Sequence, residues 1–205
     1  MMAAATLLAA SLATLPTALP PLEGASVLAT CAADATAQFT ARLQGVVTEM
    51  LDWQGPLLAC AGMPRPPGPG GQAGLRLAFA GPTQHGRLTV LLTLPTTPVG
   101  APAGAPTSHS ASAASPAVAA AHLGLLLEHG AGAWATRTGA CSVEALQQVP
   151  LPAASFPVAG QRWRISGRGL CLEPARDPTG RHAPLLIATF DFAGELTVPA
   201  MESSR

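Results

Sequence analysis

The chain of 205 residues contains no lysine, no asparagine and no tyrosine. The absence of lysine excludes Schiff-base catalysis, because that chemistry needs a side-chain amine as the nucleophile. Charged residues make up 11% of the chain and the formal net charge is zero. The sequence therefore lacks the positive field that gathers nucleic acid, and we expect no nucleic-acid partner.

Several catalytic motifs are also missing. The chain has no Gly-x-Ser-x-Gly elbow, no His-Glu-x-x-His and no phosphate-binding Gly-x-x-x-x-Gly-Lys. No Cys-x-x-Cys occurs, which argues against a thioredoxin-type site and against a structural zinc site. The five histidines have no regular spacing, whereas a metal needs three or four converging ligands. These absences predict no metal, no cofactor and no enzymatic activity.

The N-terminal stretch from Met1 to Leu15 is almost entirely Ala, Leu and Met. A run of this length is too short to span a bilayer but suits the core of a secretory signal, although the basic residues that usually open a signal are missing. Val27-Leu28-Ala29 predicts a signal peptide over residues 1–29, with Ala13 and Ala18 as alternative cleavage points. No transmembrane span is expected after cleavage. A disordered tail or a packed apolar helix is the other interpretation.

The four cysteines are Cys31, Cys60, Cys141 and Cys171. An even number behind a signal is typical of disulfide-bonded proteins, and it predicts a periplasmic or secreted location. The sequence allows three connectivities. We favour Cys31 with Cys60 and Cys141 with Cys171, because each pair closes a loop of about thirty residues and stabilises the fold by roughly 3 to 4 kcal/mol. Leu28-Ala29-Thr30-Cys31 loosely fits a lipobox, so a lipid anchor at Cys31 is an alternative.

Two stretches rich in proline and glycine interrupt the chain, Pro64 to Gly74 and Pro95 to Ala121. Proline lacks a backbone donor and glycine carries a large entropy cost, so both stretches are expected to be loops. The second offers almost nothing to bury, which predicts a disordered Ala/Pro-rich insertion over residues 95–121. We expect a single domain over residues 30–198 and a disordered tail over 199–205.

Between the loops, apolar and polar residues alternate with the period of two that is typical of antiparallel strands. The predicted inward residues are Leu75, Leu77 and Phe79, then Leu88, Val90, Leu92 and Leu94, then Leu123, Leu125 and Leu127. The first two strands form a hairpin in which AGPTQHG predicts a longer turn, and Trp134 anchors a further strand. Asp34 to Trp53 fits helical spacing or alternation, and we favour strands.

The C-terminal third predicts two neighbouring strands, Arg162 to Leu172 and Leu185 to Val198. The inward residues are Trp163, Ile165 and Cys171 on the first strand, and Leu186, Ala188, Phe190, Phe192, Leu196 and Val198 on the second. Thr189, Asp191, Glu195 and Thr197 are expected to point outward. A short helix is predicted from Ser142 to Gln148, with Ser142 as its N-cap. The fold class is therefore mainly β, a single antiparallel β-sandwich or partly open barrel with one short helix.

The outward face of the first of these strands carries Arg162, Arg164 and Arg168, a possible anion-binding row because guanidinium groups suit phosphate and carboxylate ligands. A lipid headgroup or a phosphorylated sugar would fit. The alternative is compensation by Asp191 and Glu195 on the neighbouring strand, where such pairs contribute roughly 0.2 to 1 kcal/mol each.

A hydrolytic grouping of Ser166, His182 and Asp191 has the residue types of a nucleophile, a base and an orienting acid. Ser166 and Asp191 fall on the solvated faces of predicted strands. A small secreted hydrolase is therefore an alternative to a protein without catalytic activity. Leu91 and Leu126 also point outward and indicate a second packed layer or an interface.

Four segments, LLACAGMPRP, LRLAFAG, RGLCLEPAR and ATFDFAGELTV, resemble uncharacterised exported β-rich proteins and putative lipoproteins of GC-rich proteobacteria. The resemblance implies a small envelope domain with paired cysteines, and it brings no activity or catalytic residue. We therefore expect a non-catalytic exported domain with a binding or structural role in the cell envelope. Its partner is an envelope ligand or protein that the sequence does not identify. The alternatives are the secreted hydrolase and an outer-membrane lipoprotein anchored at Cys31.

Overall fold

A computed structural model describes residues 29–31, 37–65, 73–95, 118–128, 132–152 and 160–199. Within these residues the chain forms eleven β-strands. They are β1 (Ala29–Thr30), β2 (Gln38–Gly45), β3 (Glu49–Gln54), β4 (Ala59–Arg65), β5 (Gly74–Thr83), β6 (Gly86–Leu94), β7 (Ala119–Leu127), β8 (Gly132–Ala135), β9 (Cys141–Pro150), β10 (Gly160–Cys171) and β11 (Leu185–Pro199). The helical content of this part of the chain is a 3-10 turn at Gly55–Leu57.

The strands form one antiparallel sheet in the order β1-β4-β5-β6-β7-β9-β10-β11-β2-β3, and β8 pairs with β7 beside this path. Strand β7 connects two halves of the sheet, because its residues 119–121 pair with β9 and its residues 122–127 pair with β6. Over the described ranges no pairing joins the two outer strands, so the sheet is not closed into a barrel. The prediction of a mainly β, antiparallel fold is confirmed.

One half of the sheet consists of β1 and β4 to β8, and the other consists of β9, β10, β11, β2 and β3. The two halves face each other across one apolar core. Phe39 of β2 stacks on Phe79 of β5 with ring centroids 5.0 Å apart, and Phe79 lies 6.2 Å from Phe192 of β11. The indole N–H of Trp53 donates to the carbonyl oxygen of Pro82 at 2.9 Å. Aromatic pairs of this kind stabilise by about 0.5 to 1.5 kcal/mol beyond their buried area. The aromatic core thus holds opposite parts of the sheet together where backbone pairing does not.

Most of the predicted strands are present with the predicted faces buried. The alternating leucines of β5, β6 and β7 are all buried, and so is Trp134 of β8. The ambiguous stretch from Asp34 to Trp53 forms β2 and β3 over its described part, with Phe39 and Leu51 inward and Met50 exposed. The preference for strands there is confirmed.

The connection between β5 and β6 is shorter than predicted. Residues 81–83 continue β5, and Thr83 pairs directly with Gly86, which leaves Gln84 and His85 as the turn. Gly86 has φ +116, a conformation that glycine adopts without the strain of a side chain. Thr83 donates from its hydroxyl to the carbonyl oxygen of Gly86 at 2.7 Å. The tight pairing explains why Gly81 and Pro82 belong to the strand.

The predicted helix from Ser142 to Gln148 is wrong, because this segment lies within strand β9. Cys141 is the cross-strand partner of Cys171, and the register shifts between Ser166 and Arg168 of β10. At this irregularity Ala145 has φ +51. A bulge interrupts the period of two, so the alternation that marks a strand is lost and good helix formers such as Leu146 dominate the pattern.

A second irregularity changes which residues of β11 face inward, and the prediction for the start of this strand is wrong. The register shifts between Ile187 and Phe190, so the buried residues before the shift are Leu185 and Ile187 rather than the predicted Leu186 and Ala188. After the shift, Phe190 and the later phenylalanine and leucine are inward as predicted. A single irregular step moves the side chains on one side of it to the other face.

Both favoured disulfides are present. Cys31 bonds Cys60 with Cα atoms 5.2 Å apart, and Cys141 bonds Cys171 with Cα atoms 4.0 Å apart. The first ties the two-residue strand β1 to β4, and the second links the adjacent strands β9 and β10. The pairing prediction is confirmed, and these two links fix the N-terminal edge and the centre of the sheet.

Parts of the predicted domain layout lie outside the described residues. These are residues 1–28 of the expected signal, residues 66–72 and 96–117 of the two loops, and residues 200–205 of the tail. Residues 119–121 of the predicted insertion are strand instead, because they pair with β9, and Pro199 belongs to β11. No helix in the described residues is long and apolar enough to cross a membrane.

Candidate functional site

The predicted arginine row lies on the outward face of β10, beside β11. Arg162 donates from Nη2 to Oε2 of Glu195 at 2.5 Å, and Arg168 donates from Nε to Oδ1 of Asp191 at 2.7 Å. The hydrogen bond that Arg168 donates to Asp191, and then the charge of that carboxylate, raise the pKa of Arg168 above its usual value. Two of the three arginines therefore already have a carboxylate partner on the neighbouring strand.

Glu195 was expected to point into solvent, but it is buried with 6% of its surface exposed. The reason is that the other half of the sheet covers this part of β11. The backbone N–H of Glu195 contacts Sγ of Cys31 at 3.2 Å, and a side chain added at Gly62 would meet the carbonyl oxygen of Glu195 at 2.2 Å. The Arg162–Glu195 pair is thus partly desolvated, and it is a structural contact at the overlap of the two halves.

Arg164 is the third member of the row and lies directly opposite Glu195 in the strand register. Its Nε atom is buried and has no hydrogen-bond partner among the described residues. A buried donor cannot reach a ligand in solvent without movement of the strand. Arg162 and Arg168 each have one nitrogen bound to a carboxylate, and anion binding by Arg162, Arg164 and Arg168 stays a prediction.

The hydrolytic grouping is not assembled. Ser166 and Asp191 line an open cleft of about 430 Å³ on the outer face of the sheet. Asp191 is bound to Arg168, and Nδ1 of His182 lies 2.7 Å from Oδ2 of Asp177. His182 is therefore oriented by a different carboxylate from the one that the sequence suggested.

Asp177 organises the loop before β11. Its carboxylate accepts hydrogen bonds from the backbone N–H and hydroxyl of Thr179 at 2.7 Å each, and from the backbone N–H of Arg181 at 3.0 Å and of His182 at 2.9 Å. Burial alone would raise the pKa of Asp177, but the bonds from Thr179 and His182 outweigh it and hold this pKa far below its usual value. The ring of His182 meets Trp134 edge-on, with centroids 5.7 Å apart. The loop runs from β10 to β11, and it also bridges β8 to the start of β11, because Arg176 pairs with Ala135 and Ala175 pairs with Leu185.

A different set of basic residues converges at one end of the sheet, where β4, β5, β6 and β7 lie side by side. Arg76 is the cross-strand partner of Thr93, and Thr93 is the partner of His122. Arg65 lies two residues beyond Met63, which is the partner of Arg76, so the two arginines share a face. We call this site the basic groove, with a volume of about 460 Å³. Its described lining is Arg65, Arg76, Thr93, Pro95, Ala120, Ala121, His122, Thr138 and Gly139.

The described lining of the basic groove carries no negative charge, because it contains no Asp or Glu. Neither Arg65 nor Arg76 forms an ion pair with any other described residue, and both side chains are exposed. Thr93 and Thr138 add hydroxyl groups at the groove wall. Two guanidinium groups, an imidazole and two hydroxyls are suited to a ligand rich in anionic oxygen atoms.

Sequence reasoning missed this site. Arg65 follows a proline-rich stretch, Arg76 looks like an ordinary polar position on a strand, and His122 lies far along the chain. The available signal was the phase of alternation, which places Arg76, Thr93 and His122 on outward faces. The cross-strand register that aligns them was not available from one sequence.

No group of three or more His, Cys, Asp or Glu residues in the described ranges could hold a metal ion. Comparison of the chain with protein-family models, with curated proteins and with solved structures found no match. The resemblance to exported envelope proteins stays a prediction.

Proposed function

We propose that the protein is a non-catalytic binding module of the periplasm or the extracellular medium, and that the basic groove holds a small ligand carrying negative charge. The observation that carries this proposal is the convergence of Arg65, Arg76 and His122 on one groove whose described lining contains no carboxylate. Charge-assisted hydrogen bonds contribute about 1.5 to 3 kcal/mol each, so two arginines on one anion support measurable affinity.

The two disulfides support the exported location. Disulfides persist in oxidising compartments and are rare in the cytosol, and all four cysteines of the chain are paired. The Cys31–Cys60 bond also bears on the lipoprotein alternative. Besides its bond to Cβ, the sulfur of Cys31 forms only one other covalent bond. Because that bond is to Cys60, the sulfur is not free to carry a diacylglycerol thioether. We therefore favour the form without an anchor.

Calorimetric titration with inorganic pyrophosphate tests the ligand proposal. We expect the double substitution Arg65→Gln and Arg76→Gln to raise Kd at least tenfold, which corresponds to about 1.4 kcal/mol. Arg42→Gln is the matched control, because Arg42 is an exposed arginine on β2, with no ion pair to any described residue. Equal affinity in the wild type and the double variant would overturn the proposal, and so would an absence of pyrophosphate binding by the wild type.

The location has its own test. Intact mass is measured on protein from cell fractions after thiol alkylation, with and without prior reduction. We expect no alkylation before reduction and four modified cysteines after it, with the protein found outside the cytosolic fraction. Four reactive thiols in protein from the cytosol would contradict the proposed location.

A further inference from the structure

The outer surface beside the basic groove is apolar over four strands. We call this surface the apolar face. It is formed by neighbouring cross-strand rows of β5, β6, β7 and β8, which include Ala78, Thr89, Leu91, Gly124, Leu126 and Ala133. Leu91 is 37% exposed and Leu126 is 50% exposed. None of these positions carries a charge. Exposed apolar surface of this kind marks interaction sites.

The apolar face and the basic groove are continuous. Leu91 lies two residues before Thr93 on β6, and Thr93 lies between Arg76 and His122 in the next cross-strand row. At the rise of a strand this separation is about 7 Å. A partner that covers the leucines therefore also meets the positive charge of the groove.

We propose that this combined surface docks the protein on a bilayer of anionic phospholipid, with the headgroups at Arg65 and Arg76 and the leucines in the interfacial region. The inference rests on the proposed function, since it assigns the anion of the groove to a lipid phosphate. Membrane binding at an interface increases with apolar contact and with attraction to anionic lipid. A face with exposed leucines, and at one end two arginines that pair with no described carboxylate, provides both contributions.

Charge complementarity favours a bilayer over a second copy of the chain. The far rim of the apolar face carries Arg87 and Glu128, which already pair with each other at 3.6 Å. In a two-fold pairing of this face, that rim would offer Arg76 no unpaired carboxylate. Anionic headgroups would meet Arg65 and Arg76 directly.

Co-sedimentation with vesicles tests the inference. Vesicles of equal parts phosphatidylglycerol and phosphatidylcholine are compared with vesicles of phosphatidylcholine alone. We expect the wild type to sediment with the anionic vesicles only. The double substitution Leu91→Ser and Leu126→Ser should reduce the bound fraction at least threefold and leave the Kd for pyrophosphate within twofold. Met50→Ser is the matched control, because Met50 is 66% exposed on β3, away from the groove. A urea unfolding curve verifies that each variant is folded.

The outcomes separate the two proposals. If the wild type binds pyrophosphate but not anionic vesicles, the docking inference is wrong and the groove binds a soluble anion. If the leucine variant sediments as well as the wild type, the apolar face has no role and the inference is also wrong. A dimer in solution that the leucine substitutions dissociate, without vesicle binding, would assign the face to a second copy. Absence of pyrophosphate binding by the wild type would overturn the proposed function itself.

Discussion

Arg162 and Arg76 are both strand arginines on outward faces of the same sheet, but they differ in what surrounds them. Arg162 lies opposite Thr197 and reaches diagonally to the buried carboxylate of Glu195 on the next strand, whereas Arg76 lies opposite a threonine with a histidine beyond it. The first arrangement neutralises charge within the fold, and the second leaves charge available for a partner. Residue type and strand position alone therefore do not distinguish an arginine with a carboxylate partner from one without, because the charged residues of the neighbouring strand decide.

The largest effect is expected when the carboxylate is removed from the Arg162–Glu195 pair. Glu195→Gln leaves Arg162 partly buried without its carboxylate. Losing one partner of a buried pair usually costs 3 to 5 kcal/mol. Because Arg162 keeps 24% of its side-chain surface exposed, we expect a loss of about 2 to 4 kcal/mol in the free energy of unfolding, measured in urea. Asp191→Asn is the control, since the Arg168–Asp191 pair is exposed. Equal losses in both variants would show that burial does not determine how much these ion pairs contribute to the free energy of unfolding.

Acid provides a second test on the structural side. The folded-state pKa of Asp177 is lowered, so its contribution to stability is present above the unfolded pKa near 3.8 and is lost as the pH falls below it toward the folded-state value. We expect Asp177→Asn to be less stable than the wild type at pH 7, and the gap to narrow by about pH 2.5. Urea unfolding at both pH values measures this. A gap that is independent of pH would contradict the assignment of this charge to the loop.

For Arg76 in the basic groove we expect the opposite pattern, a loss of affinity without a loss of stability. Arg76→Gln should weaken pyrophosphate binding about tenfold and change the free energy of unfolding by less than about 0.5 kcal/mol, as is usual for exposed substitutions. Arg162→Gln should destabilise the fold and leave the Kd for pyrophosphate within about twofold, since about 1.4 kcal/mol separates each tenfold step. Calorimetry and urea unfolding on the same two proteins check both results. Reduced affinity in the Arg162 variant would assign the ligand to the predicted row instead.

Raising the salt concentration should have the smallest effect, and it should weaken binding in the basic groove more than it weakens the Arg162–Glu195 pair. Between 0.1 M and 1 M salt the screening length falls from about 10 Å to about 3 Å, and exposed charges are screened more than buried ones. We expect pyrophosphate affinity to fall several-fold over this range. The difference in stability between the wild type and Glu195→Gln should change little. Salt-independent binding would indicate that the groove does not bind through charge.

The strand content was predictable from the sequence because alternation is a local property. Leu123, Leu125 and Leu127 indicate the buried face of β7 without knowledge of any neighbour. The same approach failed at Ala145, where a bulge breaks the period, and at Leu185, where an irregular step reverses the face. Bulges arise from the way two strands pair, so one strand considered alone does not reveal them.

The candidate site was less predictable for a related reason. The acidic partners of the arginine row were foreseen, because β10 and β11 are adjacent in sequence and alternate clearly. The burial of Glu195 depends on Cys31 and Gly62, which approach from the other half of the sheet. The basic groove likewise depends on register between β5, β6 and β7. Contacts that join distant segments need the folded structure.

The three tryptophans have a practical consequence for all of these measurements. Trp53, Trp134 and Trp163 are each at most 9% exposed, and the chain has no tyrosine, so its ultraviolet emission comes from buried indoles alone. Each indole lies in a different region. Trp53 reports the contact of β3 with β5, Trp134 the Asp177 loop, and Trp163 the strand that carries the arginine row. Single Trp→Phe variants would resolve which region loosens first as the emission shifts to longer wavelength.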